Sequence, residues 1–140
     1  MRSGSFRILD HPADVGFEAF GATREEAFAN AGLALTHLRV DLSSIELRSS
    51  LHLIAHASDL AGLLVNWLSE ILYYQDAEGW LPGRFEIENL SETSVAAVAK
   101  GESFNPARHS LKTLVKAVTY HQLVFERNGN GWRAQVFVDV

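Results

Sequence analysis

The residues best suited to chemistry lie toward the two ends of the chain. Near the start, Asp10-His11-Pro12-Ala13-Asp14 crowds two carboxylates and an imidazole into a turn-like segment. Such a set can hold a metal ion or steer a proton, with His11 as a candidate donor beside Asp14. Asp is also a favoured turn residue for a simpler reason, because its side chain bonds nearby backbone amides. At the other end Asp139 is followed by Val140, whose α-carboxylate would stand one residue from the Asp139 side chain. Two carboxylates that close form a hard oxygen corner, and a third from a nearby turn would complete a site for Ca²⁺ or Mg²⁺. The alternative is a frayed, solvated chain end. Lys116 is a candidate to meet a phosphate or a partner's carboxylate, against the ordinary fate of a solvated strand lysine.

Other signals point away from function. His52 and His56 are four apart, but in a strand-like run and without a His-Glu-x-x-His pattern. Gly129 and Gly131 belong to a hairpin and precede no helix, so they form no phosphate loop. The six histidines are scattered and support no Ser-His-Asp arrangement. With no cysteine in the chain, disulfides, Cys-zinc sites, iron–sulfur clusters and thiol catalysis are excluded.

The elements that would position these residues follow from hydrophobic periodicity. Strand patterns occur over 6–9 and 16–21, with Phe17 and Ala19 on one face. Thr23-Arg24-Glu25-Glu26 has the form of a capping box, in which Glu26 would reach back to the amide of Thr23. Ala27, Phe28, Ala31, Leu35 and Leu38 then recur at helical spacing and predict a helix over 24–38. The run 43–57 reads mainly as strand, and 59–74 as a second helix with the stripe Leu60, Leu63, Leu64, Trp67, Leu68, Ile71 and Leu72. Residues 75–79 read as the loop ending that helix, with Gly79 a left-handed stop. Further strands are expected at 83–90, 93–101, 114–127 and 132–140. Asn128-Gly129-Asn130-Gly131 predicts a tight hairpin with Arg127 facing Trp132. Continued without interruption, that register sets Tyr120 opposite Asp139 and His121 on the core side, and leaves Lys116 ~13 Å along the strand from Asp139.

The pattern specifies an α+β fold, a mainly antiparallel sheet with two amphipathic helices packed on one side. Its 140 residues, 47% hydrophobic and 21% charged, suit a single soluble domain over 1–140. The net charge of -5 disfavours sequence-independent binding to nucleic acid, which depends on surplus Lys and Arg. No secretory leader is visible behind Met1. The most apolar segment, 60–72, is broken by Asn66, Ser69 and Glu70 and is short of the ~20 residues of a membrane span. A cytoplasmic location is expected.

Several segments, in order, resemble the archease family: Asp10-His11-Pro12-Ala13-Asp14-Val15-Gly16, Thr23-x-Glu25-Glu26-Ala27-Phe28, Asp59-Leu60-x-x-Leu63-Leu64-Val65-x-Trp67-Leu68-x-Glu70, Gly101-Glu102, Lys116-Ala117-Val118-Thr119-Tyr120-His121 and Val138-Asp139-Val140. The resemblance implies a strand–helix–strand–strand fold with an inserted segment. It also implies a role as activator of an RtcB-type RNA ligase in tRNA splicing and RNA repair, promoting guanylylation and repeated turnover of the ligase. Carried over by position, Asp14, Asp139 and Val140 would hold one divalent ion, calcium or alternatively magnesium or manganese, and Lys116 would be the activating lysine. Pro12 departs from the family's usual Thr and removes a hydroxyl and an N–H from the turn. On this reading the protein is not an enzyme and meets nucleic acid only through the ligase. The competing readings are a free-standing metal-dependent phosphohydrolase and a general chaperone or scaffold.

Overall fold

The computed structural model describes residues 5–10 and 14–140. Its strands fall into two antiparallel sheets. The first holds β1 (Phe6–Asp10), β2 (Val15–Gly21) and β8 (Gly131–Asp139), with β6 (Ala117–Val118) and β7 (Val124–Asn128) also paired to β8. The second holds β3 (Ser49–His56), β5 (Ser94–Ser103) and β4 (Trp80–Leu90), in that order. Two helices, α1 (Arg24–Arg39) and α2 (Leu60–Ala77), each pack against strands of both sheets. The α+β, mainly antiparallel class expected from the pattern therefore holds, with the strands divided between two sheets.

Helix α1 starts as its residues demand, with one difference. Thr23 Oγ1 accepts from the Glu26 amide at 3.1 Å, and the Glu26 carboxylate accepts from Ala22 rather than from Thr23, at 2.9 Å. Asp59 caps α2 by accepting from the Gly62 amide at 2.7 Å. Helix α2 runs past the expected loop to Ala77 because its last turn has tertiary partners. Gln75 donates to Thr36 Oγ1 at 3.0 Å inside the protein, and Asp76 pairs with Arg39 at 2.7 Å. The helices meet at Trp67, fully buried, whose indole N–H donates to the Phe28 carbonyl at 2.9 Å and whose ring meets Phe85 edge-on.

Two expected strands are shorter than their apolar patterns. Over 43–57 only Ser49–His56 is strand, because Asp41 accepts from the Ser43 amide and hydroxyl and winds Leu42–Ser44 into a 3₁₀ turn. Over 114–127 the strand is broken into β6 and β7 by a turn at 119–123, where Gln122 takes a left-handed φ of 48° and Leu123 N–H donates to the Tyr120 carbonyl. The hairpin itself has the expected pairing of Arg127 with Trp132, and Gly129 supplies the positive φ of 61°.

A buried polar knot holds the far end of β5. Glu102, 3% exposed, accepts from the Glu46 amide at 2.7 Å, from Arg108 at 2.5 and 3.1 Å, and from His109 Nε2 at 2.9 Å. His109 Nδ1 accepts from the Asn105 amide at 2.8 Å, which leaves the ring proton on Nε2 facing the carboxylate. The Arg108 hydrogen bonds hold the Glu102 carboxyl down at about 2, against the opposing pull of burial. A depressed carboxyl stabilises the fold above its ordinary value and loses that contribution as acid protonates it. Stability should therefore fall as pH drops from 4.5 toward 2. Urea midpoints of Glu102→Gln from neutral pH down to about 2 should show a lower value at neutral pH and a shallower acid slope; an unchanged slope would assign the acid sensitivity elsewhere.

Candidate functional site

The candidate site forms where β8 ends. Strands β2 and β8 are in register with Val15 opposite Val138 and Gly16 opposite Phe137, and Asp14 and Asp139 are the residues that flank this last pair at the same end of the sheet. Side chains alternate along a strand and cross-strand partners share a face, which groups Asp14, Gly16, Phe137 and Asp139. His121 lies on the same face. Its ring meets Phe137 edge-on at 5.8 Å, and its Nε2 is 3.9 Å from Asp14 Oδ2. A β-carbon on Gly16 would stand 2.6 Å from the Phe137 ring, so only glycine leaves that ring its place beneath the histidine.

On the other edge of β8, Ala117 pairs with Asp139 and the Lys116 N–H donates to the Asp139 carbonyl at 2.8 Å. This corrects two sequence-based positions. The turn at 119–123 shifts β6 by three residues relative to the uninterrupted hairpin, putting Ala117 rather than Tyr120 opposite Asp139. Lys116 is thus beside Asp139 and not ~13 Å away. His121, expected in the core, has a side chain 57% exposed. The turn that exposes it is tied down by Thr119, whose hydroxyl donates to the Phe137 carbonyl at 2.8 Å and accepts from the His121 amide at 3.2 Å.

The Asp14 side chain is mostly buried, at 19% exposure, whereas Lys116, Asp139 and Val140 are exposed. His11 and Pro12 lie outside the described residues. His52 and His56 sit exposed on β3, far along the chain from this corner. Among the described residues no three His, Cys, Asp or Glu side chains gather as a metal-binding group. What the corner offers is narrower: two carboxylate positions across adjacent strands, the main-chain oxygens that end the described chain, and a lysine anchored through its backbone. The sequence argument missed His121, Gly16 and Phe137. The polar run Thr119-Tyr120-His121-Gln122 inside an apolar stretch was the signal for the turn that presents His121.

A family model described as the archease protein family matches residues 6–140. The archease of Methanosarcina mazei is 38% identical over 139 residues, covering 96% of this chain and 95% of that protein. The archease of Sulfolobus acidocaldarius is 36% identical, covering 96% and 98%. Among solved structures, protein 1598 of Methanobacterium thermoautotrophicum superimposes with a TM-score of 0.82 at 29% identity, over 97% of this chain and 99% of that one. The crystal structure of an archease and possible chaperone from Thermotoga maritima shares the fold at a TM-score of 0.66 and 21% identity, over 100% and 98%.

The register across β2 and β8 can be tested directly, since the chain has no cysteine of its own. Oxidation of Asp14→Cys/Asp139→Cys should close one intramolecular disulfide, because directly opposed strand positions bring β-carbons within bridging reach. Two alkylatable thiols remaining after oxidation, counted by mass spectrometry, would contradict the register.

Proposed function

Because this chain belongs to the archease family, we propose that it is a metal-binding protein cofactor of an RtcB-type RNA ligase, serving tRNA splicing and RNA repair. The single observation that carries the reading is that the start of β2 pairs with the end of β8, Val15 opposite Val138, so that Asp14 and Asp139 flank one end of that pairing, with the Lys116 amide bonded to the Asp139 carbonyl. Asp14, Asp139 and a main-chain oxygen of Val140 would hold one divalent ion. All of these donors are hard oxygens, which suits calcium, and magnesium or manganese as alternatives, over softer metals. When bound, the ion supplies positive charge that can neutralise phosphate oxygens while a nucleotide reacts.

The chain's own residues do the positioning. Pairing of β8 on both edges holds its end, with Val138 opposite Val15 on one side and Asp139 opposite Ala117 on the other. His121 stands beside Asp14, its Nε2 3.9 Å from the carboxylate. Lys116, tethered through its amide and exposed at its side chain, supplies a cation to the nucleotide phosphates. The nucleophile of guanylylation belongs to the ligase, whose histidine takes GMP from GTP with release of pyrophosphate. A net charge of -5 favours action on an enzyme over a direct grip on RNA. No helix among the described residues is long and apolar enough to cross a membrane.

The test is ligase guanylylation with GTP, run beside calcium calorimetry. Asp14→Asn and Asp139→Asn should each weaken calcium binding about tenfold or more and abolish stimulation of the ligase. Lys116→Ala should keep calcium binding and lose stimulation. Full stimulation by all three variants would overturn the assignment, and turnover of nucleotide or RNA without ligase would favour a hydrolase.

A further inference from the structure

The segment leading into this corner has a surface that the ion and Lys116 do not account for. From Ser103 to Phe125 the chain contains no Asp or Glu, yet it carries Arg108, Lys112 and Lys116 in a protein whose net charge is -5. The same stretch holds Leu111, Leu114 and Tyr120, which are 64%, 66% and 63% exposed and are among the most exposed large apolar side chains of the fold. Scattered exposed apolar residues need no explanation, but Leu111 and Leu114 stand three residues apart on one segment, whereas Tyr120 lies beyond it, its hydroxyl near Gly62 at the start of α2.

This segment has a fixed backbone. Lys112 and Thr113 donate to the carbonyls of Arg39 and Leu38 at the end of α1, and Leu111 forms an isolated bridge with Val40. Val115 is fully buried and plugs the strap into the core, and Lys116 then bonds the Asp139 carbonyl. Upstream, the Arg108–Glu102–His109 knot anchors the approach. The strap therefore presents Leu111, Lys112 and Leu114 from a backbone already held in place, which removes the backbone part of the ordering cost at binding. Lys112 already has Asp41 and His37 in its field, and Lys116 forms no ion pair among the described residues.

We infer that the strap 110–116 is a docking surface for a protein partner that offers an apolar pocket rimmed by carboxylates. The charge and the side-chain types choose this occupant. Leucine side chains gain by burial against other apolar groups and have no π face on which a base could stack, whereas interfaces place an apolar centre inside a charged rim. Continuity through Lys116 to Asp139 makes the partner of the strap the partner of the corner. The inference thus rests on the ligase reading above and names where that ligase is gripped.

The experiment titrates the full chain against RtcB-type ligase, reading binding by fluorescence anisotropy and guanylylation in parallel. Leu111→Asp/Leu114→Asp should raise the half-saturating concentration about tenfold or more in both readouts. Ile54→Asp, at an apolar site on β3 that is 57% exposed, should superimpose on the wild type. If the wild type stimulates and the double variant matches it, the strap is wrong and the ligase reading stands. If the wild type binds without stimulating and the double variant binds weakly, the strap stands and the activator reading falls. A wild type that does not bind the ligase overturns both. A double variant that loses only affinity for single-stranded RNA would reassign the strap to nucleic acid.

Discussion

Strand β8 pairs along both edges, and that double pairing organises the molecule. One edge carries β2, whose first residue follows Asp14; the other carries β7 and then β6, which deliver the strap and Lys116. Its inward residues Ala134, Val136 and Val138 are fully buried, so the strand cannot slip by one residue without exchanging core for solvent. Asp139 is the next residue outward from that locked run. Its position follows from hydrophobic burial several residues away, and the polar corner needs no separate scaffold.

The break between β6 and β7 is the second constraint. An unbroken strand opposite β8 would send its side chains alternately into core and solvent all the way to the corner. The turn at 119–123 instead resets the register by three residues. It brings Lys116 to Asp139 and lifts His121 over Phe137 toward Asp14. The rest of the outward face is occupied by charge pairs: Glu18 accepts from Arg7 and Arg133, and Arg133 also bonds Glu126. These pairs balance their own charges. The strap is different, with basic and apolar groups facing solvent and its backbone held on α1 and β8.

How much of this was legible in the sequence depended on whether the controlling interaction was local. Both helix starts were readable because Thr23 and Asp59 act within a turn of their own helices. The hairpin register was readable because Gly129 and its neighbours dictate it on the spot. The far end of α2 was not, since Gln75 and Asp76 are held by Thr36 and Arg39 from another helix. The position of Lys116 failed for a related reason: a hydroxyl on Thr119 and a left-handed Gln122 outweighed an apolar pattern that reads as continuous strand. Asp14 and Asp139 were singled out by type and address, while the pairing of Val15 with Val138 that sets them at one end of the sheet is a property of strand order and register. The charge of the strap is legible as a stretch without acids, but Leu114 reads as the first residue of a strand and Leu111 falls outside every expected element.

The most direct measurement of the central idea is an amide-resolved NMR titration of the protein with calcium. The account predicts saturable shifts concentrated at Asp14–Gly16, Lys116–Ala117 and Val138–Val140, where the two edges of β8 converge. Unshifted amides there, or a response centred on Glu46 and Glu102 at the opposite knot, would contradict it.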